Sequence, residues 1–155
     1  MEKILSDGFA ALGITPDAEA VGRLKAYYEY LEERNKVMNL TAISGLEDVA
    51  RLHFLDCAAL LTVCDFADKK VIDVGTGAGF PGLVLKIVQP EIDITLLDSL
   101  NKRIDFLGEM SEKLELERIC CVHARAEEIP EERRAAYDIA VSRAVARLGC
   151  LLYTS

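Results

Sequence analysis

The residues best suited to chemistry lie in one glycine-rich stretch, Val71–Gly82, which reads V-I-D-V-G-T-G-A-G-F-P-G. Four residues typical of a buried strand, the third of them Asp73, run directly into a loop with glycine at positions 75, 77, 79 and 82. Glycine allows the backbone to take a positive φ and to approach a ligand closely. Pro81 follows where a helix would start, and the apolar residues after it recur with helical spacing. This order predicts a cradle for a small molecule.

Two ligand classes use such a turn. Residues 77–82 match the G-x-G-x-x-G fingerprint of dinucleotide-binding proteins, but Gly75, and not Gly77, holds the place at the end of the strand. Asp73 favours the other class, because a carboxylate at the mouth of the turn would repel a pyrophosphate and attract the ammonium and sulfonium groups of S-adenosylmethionine. We therefore expect S-adenosylmethionine to be bound by Asp73, Gly75 and Gly77. A nicotinamide cofactor and a structural turn without a ligand remain alternatives.

A second acid, Asp98, ends the next apolar run, nineteen residues after Gly79. At the end of the second strand of a βαβ unit, a carboxylate can accept hydrogen bonds from both ribose hydroxyls of an adenosine. Charge-assisted bonds of this kind contribute about 1.5–3 kcal/mol each. Asp98 could instead be an N-cap residue for the helix predicted at 100–114, since aspartate is a residue type preferred there. Both roles are open at this point.

The spacing of apolar residues predicts an α/β fold from residue 70 onwards. Strands are expected at 71–74, 93–97, 118–123 and 137–142, with helices at 80–89, at 100–114 and near 126–136. Their alternation predicts a parallel sheet with right-handed crossovers. The loop after the third strand, at Ala126 and Glu127, would lie beside an adenine, and the fourth strand would carry Arg143 to the ligand-binding edge. Arg143 is a poor proton acceptor, so we expect it to orient a substrate or the methyl donor.

Residues 1–69 are predicted to form an N-terminal helical region, and residues 70–155 a partial cofactor-binding domain. One helix should run from 2 to 12, and a second should begin at Thr15–Asp17 and continue to about Asn35. A third should be capped by Ser44 and Glu47 and reach about Thr62. His53 falls in this third helix near an acid, where a structural hydrogen-bond partner is more common than a catalytic base.

Composition limits the remaining function classes. The chain has 155 residues, a net charge of −8 and 51% hydrophobic residues, which suits one globular domain and argues against a protein that coats nucleic acid. No apolar run is long enough to span a membrane and no signal peptide is evident, so a cytoplasmic protein is expected. The five cysteines show no C-x-x-C spacing, so neither a metal site nor a disulfide framework is expected.

With these residues in view, the chain resembles the bacterial small-subunit ribosomal RNA guanine-N7 methyltransferases, the GidB or RsmG family. The motifs that carry the resemblance are N-L-T-A-I at 39–43, H-F-L-D at 53–56, the stretch at 71–82, L-L-D-S at 96–99 followed by Lys102 and Arg103, R-A-E-E at 125–128, and S-R-A-V-A at 142–146. The resemblance implies a Rossmann-like class I methyltransferase fold whose first four parallel strands are present, with an N-terminal helical cap. It implies ribosomal RNA as partner, a monomer at full length, and donor contacts from Gly75, Phe80, Asp98, Ala126, Glu127 and Arg143.

The resemblance also implies a longer sheet than this sequence provides. We therefore expect a truncated chain whose fourth strand, with Ile139 and Val141, is an uncovered edge prone to aggregation. The predicted activity is methyl transfer to N7 of a guanine in 16S ribosomal RNA, which needs no general base because N7 carries a free lone pair. The alternatives are a nicotinamide-dependent oxidoreductase and an inactive fragment that binds only cofactor or RNA.

Overall fold

The computed structural model describes residues 1–144 and 147–152, with side chains described for residues 1–143. Its centre is a sheet of strand order β3-β2-β1-β4-β5. The strands are β1 (Lys70–Val74), β2 (Asp93–Asp98), β3 (Ile119–His123), β4 (Ile139–Ala144) and β5 (Arg147–Leu152). β1 to β4 are mutually parallel, as predicted, and each lies within two residues of its expected position.

Parallel pairing explains the composition of the two central strands. Val71, Ile72 and Asp73 of β1 are buried, and β2 is buried continuously from Ile94 to Asp98. A strand covered on both faces reads as an unbroken apolar run and not as an alternation. The carboxyl ends of β1, β2 and β4 therefore meet at one edge of the sheet, and the glycine-rich loop lies at that edge.

The expectation of an uncovered fourth strand is wrong for the described residues. β5 pairs with β4 in antiparallel register, from Ile139 opposite Leu152 to Ala144 opposite Arg147. β4 therefore has hydrogen-bonded neighbours on both sides, β1 on one and β5 on the other.

The N-terminal region is helical, with two corrections. Helix α1 is Glu2–Leu12, as predicted, and ends at Gly13 in the left-handed conformation. Helix α2 is Ala20–Met38, so it begins later than the predicted start at Thr15 and extends further than Asn35. None of the helices in the described part of the chain is long and apolar enough to cross a lipid bilayer.

The third helical segment is irregular. It consists of Leu46–Asp48, a π-helical turn at Val49–Leu55, Asp56–Ala58 and a 3₁₀ turn at Ala59–Thr62. The predicted capping box of Ser44 and Glu47 is absent: the N-cap residue is Gly45, and no side chain forms a capping hydrogen bond there. The Glu47 side chain instead accepts a hydrogen bond from Arg51 Nε at 3.2 Å. A π-helical turn often occurs at a functional site, and this one carries His53.

The remaining helices are shorter than predicted. They are Gly82–Val88, Asn101–Lys113, a 3₁₀ turn at Ala126–Glu128, and Glu131–Arg134. Pro81 is the N-cap of the first and not its first helical residue. One cluster of buried apolar residues contains members from α1, α2 and the third segment as well as from β1 and β2. The N-terminal helices and one face of the sheet therefore share a core.

Candidate cofactor and substrate site

The glycine-rich loop is tied to the neighbouring strand, since the backbone N–H groups of Gly75 and Thr76 both donate to Leu97 O at 2.9 Å. Gly75 and Gly77 have φ values of +72° and +60°, and a Cβ on either would meet no atom within 4 Å. The space above these two residues is therefore open. A positive φ beside open space is what a backbone needs when a ligand approaches it closely.

Gly79 and Gly82 are required for packing. A Cβ on Gly79, whose φ is +107°, would lie 2.5 Å from the Tyr27 hydroxyl oxygen. A Cβ on Gly82 would lie 2.5 Å from Leu96 Cδ2 and 2.8 Å from Asp73 Oδ2. The loop thus has two glycines that face open space and two that allow the helix Gly82–Val88 to pack on the sheet.

Asp73 lies beneath the loop and not in its opening. Its side chain is fully buried, and Oδ2 accepts a hydrogen bond from the Gly82 N–H at 2.8 Å. Oδ1 and the nearby Thr76 hydroxyl, both buried, have no hydrogen-bond partner. Burial raises the pKa of Asp73 to about 7, an effect partly offset by the hydrogen bond from the Gly82 N–H. Asp73 is thus a buried carboxyl group that a cation near the loop would help to ionise.

Asp98 holds the loop and the following helix together. Its Oδ2 accepts a hydrogen bond from Gly77 N and its Oδ1 one from Leu100 N, both at 2.9 Å. Arg103 Nη1 lies 3.6 Å from the same Oδ1, and the Asp98 side chain is only 3% exposed. The N-cap of the helix Asn101–Lys113 is Leu100, so Asp98 bonds the residue before the helix and does not cap the helix itself. A ribose could bind Asp98 only by replacing or sharing one of these contacts.

Phe80 forms the base of a stack of rings from three parts of the chain. The His53 ring lies on it with centroids 3.9 Å apart and planes 6° from parallel. Tyr27 stacks on the same ring at 5.7 Å, and its buried hydroxyl donates to Ala78 O. Arg143 lies 5.8 Å from the Phe80 centroid. The N-terminal helices thus fix both the backbone and the side chains of the loop.

His53 connects Arg143 to the segment after α2. Arg143 Nη1 donates to His53 Nδ1 at 2.5 Å and Nη2 to Leu52 O at 2.7 Å. His53 Nε2 lies 2.9 Å from Thr41 Oγ1. Burial and the Arg143 charge lower the pKa of His53 to about 4, so the ring is neutral at physiological pH. The prediction that His53 is a structural hydrogen-bond partner agrees with this geometry.

The glycine-rich loop, His53 and Arg143 line one cavity of about 700 Å³. Its floor contains Gly75, Gly77 and Phe80, one wall contains residues 40–43, and Arg103 and Arg143 lie around it. Arg103 Nε is buried and has no hydrogen-bond partner. The cavity therefore combines an open glycine backbone with a guanidinium that could pair with a carboxylate.

Ala126 and Glu127 line a different cavity of about 450 Å³, together with Val74, Tyr137 and Ser142. Ser142 lines this cavity and Arg143 lines the first one. Because successive residues of a strand point to opposite faces, the two cavities lie on opposite sides of the sheet. The structure thus brings Gly75, Gly77, Phe80 and Arg143 together and places Ala126 and Glu127 apart from them. A ligand that touches all of them would have to cross the edge of the sheet near Val74.

Sequence reasoning assigned no site role to three residues that shape the cavity: Tyr27, Thr41 and Asp56. Tyr27 belongs to an apolar helical stripe, and only its long-range contact with the loop distinguishes it from a packing residue. Thr41 lies in the N-L-T-A-I motif between two helices, and a polar residue in a non-helical connector is the available signal. Asp56 lies in the H-F-L-D motif, three residues after His53.

Comparison with known proteins gives consistent matches. The family model described as "rRNA small subunit methyltransferase G" (GidB) matches residues 21–153. "Ribosomal RNA small subunit methyltransferase G" of Acetivibrio thermocellus is 46% identical over 154 residues, which cover 98% of this chain and 64% of that protein. The protein of the same name from Mesoplasma florum is 48% identical over 150 residues, which cover 97% and 62%. The chain thus spans less than two thirds of the length of these relatives.

Solved structures support the fold. A protein-L-isoaspartate O-methyltransferase aligns with a TM-score of 0.61 at 14% identity, over 92% of this chain and 47% of that one. A Methanococcus maripaludis protein, described as a candidate S-adenosyl-L-methionine-dependent methyltransferase, aligns with a TM-score of 0.53 at 18% identity, over 76% and 49%. The predicted Rossmann-like α/β fold is confirmed. S-adenosylmethionine is the cofactor that the family match indicates, and the nicotinamide alternative finds no support.

Proposed function

Since this chain belongs to the family of ribosomal RNA small subunit methyltransferase G, we propose that it binds S-adenosylmethionine at the carboxyl edge of its sheet and serves to methylate N7 of a guanine in 16S ribosomal RNA. The observation that carries the proposal is the open, positive-φ backbone at Gly75 and Gly77, which faces the 700 Å³ cavity. We place this activity in the cytoplasm, where ribosomal RNA is made, and expect a monomer that needs no metal ion.

The residues present suit this donor. Gly75 and Gly77 leave the space into which a Cβ would project, and Asp73 supplies negative charge beneath it. Arg103, whose Nε has no partner, is suited to the carboxylate of the methionine moiety. Asp98 would take the ribose, and Ala126 and Glu127 the adenine. When bound, S-adenosylmethionine supplies an electrophilic methyl group.

The chain's own contribution to catalysis would be orientation. The N7 of guanine is an acceptor with a free lone pair at neutral pH, so the reaction needs no proton transfer before attack. His53 is unsuited to act as a base, because its Nδ1 already accepts a hydrogen bond from Arg143. Phe80 and Arg143 would hold the base and donor in line, an effect that can contribute several kcal/mol, roughly, to the rate. In A-form RNA N7 lies in a deep, narrow groove, so the target should be in a loop or a splayed position.

Calorimetric titration of the chain with S-adenosylhomocysteine tests the donor site. We expect one-to-one binding that Gly77→Ala weakens at least tenfold, roughly, because the new Cβ enters the open space and the backbone φ is strained. Gly22→Ala is the matched control, since Gly22 lies in α2 and its Cβ would also meet no atom within 4 Å. Equal weakening by both variants would contradict the assignment.

Transfer of a tritiated methyl group to small ribosomal subunits tests the activity separately. We expect incorporation that becomes an aniline-sensitive site in the ribosomal RNA, as N7-methylguanosine does. Binding of S-adenosylhomocysteine without incorporation would favour the alternative of a chain that binds only cofactor or RNA. A nucleotide other than guanosine at the modified site would refute the proposed substrate.

A further inference from the structure

Thr41 is held in place by its backbone and by its side chain. Its N–H donates to Asn35 Oδ1 at 2.9 Å, and its carbonyl accepts from Asn35 Nδ2 at 3.0 Å. Its hydroxyl oxygen accepts the Ile43 N–H at 3.1 Å and lies 2.9 Å from His53 Nε2. Two backbone and two side-chain contacts thus fix this residue on the wall of the cavity.

The direction of the hydrogen bond between Thr41 and His53 follows from Arg143. A guanidinium can only donate, so His53 Nδ1, which faces Arg143 Nη1, must accept and carry no proton. The proton of the neutral ring is then on Nε2, and the bond runs from Nε2–H to Thr41 Oγ1. The hydroxyl oxygen therefore accepts two bonds, from Ile43 and from His53, which use both of its lone pairs.

The remaining capacity of Thr41 is one O–H donor. Among the hydrogen bonds of the described residues, this proton has no acceptor, and Thr41 lines the cavity. Asp56 lines the same cavity and offers the opposite character. Its carboxylate is 54% exposed, with Arg143 Nη2 at 3.7 Å from Oδ2. The wall formed by the N-terminal region thus presents a neutral donor and a charged acceptor.

We propose that Thr41 and Asp56 select guanine as the target base, with the Thr41 hydroxyl donating to O6 and the Asp56 carboxylate accepting from N1–H and the 2-amino group. The inference rests on the proposed function and adds its substrate specificity. Guanine carries O6 beside N7, so a donor placed at O6 positions N7 without occupying its lone pair. Adenine has an amino group in place of O6 and no proton on N1, so both contacts would be lost.

The carboxylate of the methyl donor is a less suitable partner for Thr41. Arg103 lines the same cavity and carries charge and an unpartnered Nε, which suits an anion better than a neutral hydroxyl does. A carbonyl oxygen such as O6 needs a single neutral donor. Arg143, the other guanidinium that lines the cavity, already donates to His53 and Leu52, so Arg103 is the better candidate for the anion and Thr41 for the base.

The test measures nucleotide binding to the full chain saturated with S-adenosylhomocysteine, by nuclear magnetic resonance titration. The probes are 5′-GMP, 5′-AMP and 5′-IMP, which share the phosphate and ribose. We expect the wild type to bind GMP with a dissociation constant in the millimolar range and to prefer it to AMP by about tenfold or more. Thr41→Val should reduce this preference about five- to tenfold, and Thr41→Ser should restore it.

Asp56 gives a second arm that does not depend on the stability of the Thr41→Val variant, because its side chain is exposed. IMP lacks only the 2-amino group, so Asp56→Asn should remove the preference of the wild type for GMP over IMP. Asp48→Asn, at another exposed aspartate, is the control and should leave both preferences unchanged.

Several results would overturn the inference: no saturable GMP binding, equal affinity of the wild type for GMP and AMP, or a preference that survives in both Thr41→Val and Asp56→Asn. Methyl transfer to ribosomal RNA with any of these results would leave the proposed function standing and remove only the base-selection role. A preference for GMP that depends on Thr41, in a chain without methyl transfer, would support the base site and count against the proposed activity.

Discussion

Replacing Asp73 by asparagine should stabilise the free protein by an amount that grows with pH. The side chain is fully buried, Oδ1 has no partner, and burial raises the pKa of the carboxyl from 3.8 to about 7. Between these values the folded state binds a proton that the unfolded state has released, so stability falls as the pH rises. Asparagine keeps an oxygen for the Gly82 N–H and has no charge to bury.

The magnitude follows from the two pKa values. Linkage gives a cost to the folded wild type of about 2 kcal/mol at pH 5 and about 4 kcal/mol at pH 8, relative to a carboxyl that stays protonated. The difference in unfolding free energy between variant and wild type should therefore increase by about 2–3 kcal/mol between the two pH values. Urea unfolding of both proteins at pH 5 and pH 8 measures this difference and cancels the titration of every other group.

Asp48→Asn, the same change at an exposed position, should show no such increase. If the Asp73→Asn difference is the same at both pH values, the carboxyl does not titrate near neutrality and our account of its burial is wrong. The donor adds a second readout, because a cation above the loop favours ionised Asp73. Affinity for S-adenosylmethionine should rise from pH 5 to pH 8 in the wild type and stay flat in the variant.

Three further substitutions test how the loop is held. Tyr27→Phe removes the buried hydroxyl that donates to Ala78 O, so it should lower the unfolding free energy by about 1–2 kcal/mol. Tyr28→Phe, at a half-buried tyrosine, should change it almost not at all. Equal effects of the two variants would show that the Tyr27 contact does not hold the loop. Asp98→Ala removes the acceptor for Gly77 N and Leu100 N and should destabilise by about 2–4 kcal/mol. Unchanged affinity for S-adenosylhomocysteine in that variant, measured well below its melting temperature, would leave Asp98 only its structural bonds to Gly77 and Leu100. Gly82→Ala should destabilise the protein by about 1–3 kcal/mol because its Cβ would meet Leu96 and Asp73. Gly108→Ala, whose Cβ would meet no atom within 4 Å, should stabilise it by about 0.5–1 kcal/mol. Thermal melts that rank the two variants in the opposite order would contradict the packing argument.

The sequence predicted the central strands well because β1 and β2 are buried on both faces and therefore read as apolar runs, whereas β3, at the edge of the sheet, is only partly buried. The strand before the glycine loop and the run that ends at Asp98 were identified in this way, and both lie at the predicted place. Helix starts were less predictable. Thr15 and Ser44 are residue types that favour N-caps, but the N-caps in the structure are Glu19 and Gly45, neither of which makes a side-chain cap.

The site was only partly predictable for a related reason. Gly75 and Gly77 could be identified from their position after a strand, a local pattern. The roles of Tyr27, Thr41 and Asp56 depend on contacts with residues far along the chain, such as the 51 positions that separate Tyr27 from Ala78. Periodicity carries no information on such contacts, so Tyr27 could only be interpreted as a packing residue.

The N-terminal region and the sheet are better regarded as one functional unit than as a cofactor domain with an accessory cap. Arg143 lies near the end of β4, yet its described hydrogen-bond and ion-pair partners are Leu52, His53 and Asp56, all from the N-terminal region. Phe80 belongs to the glycine loop, yet its ring contacts are Tyr27, Phe54 and His53. Since each half supplies the partners of the other at the cavity, residues 1–69 would contribute to base recognition as directly as the glycine loop contributes to donor binding.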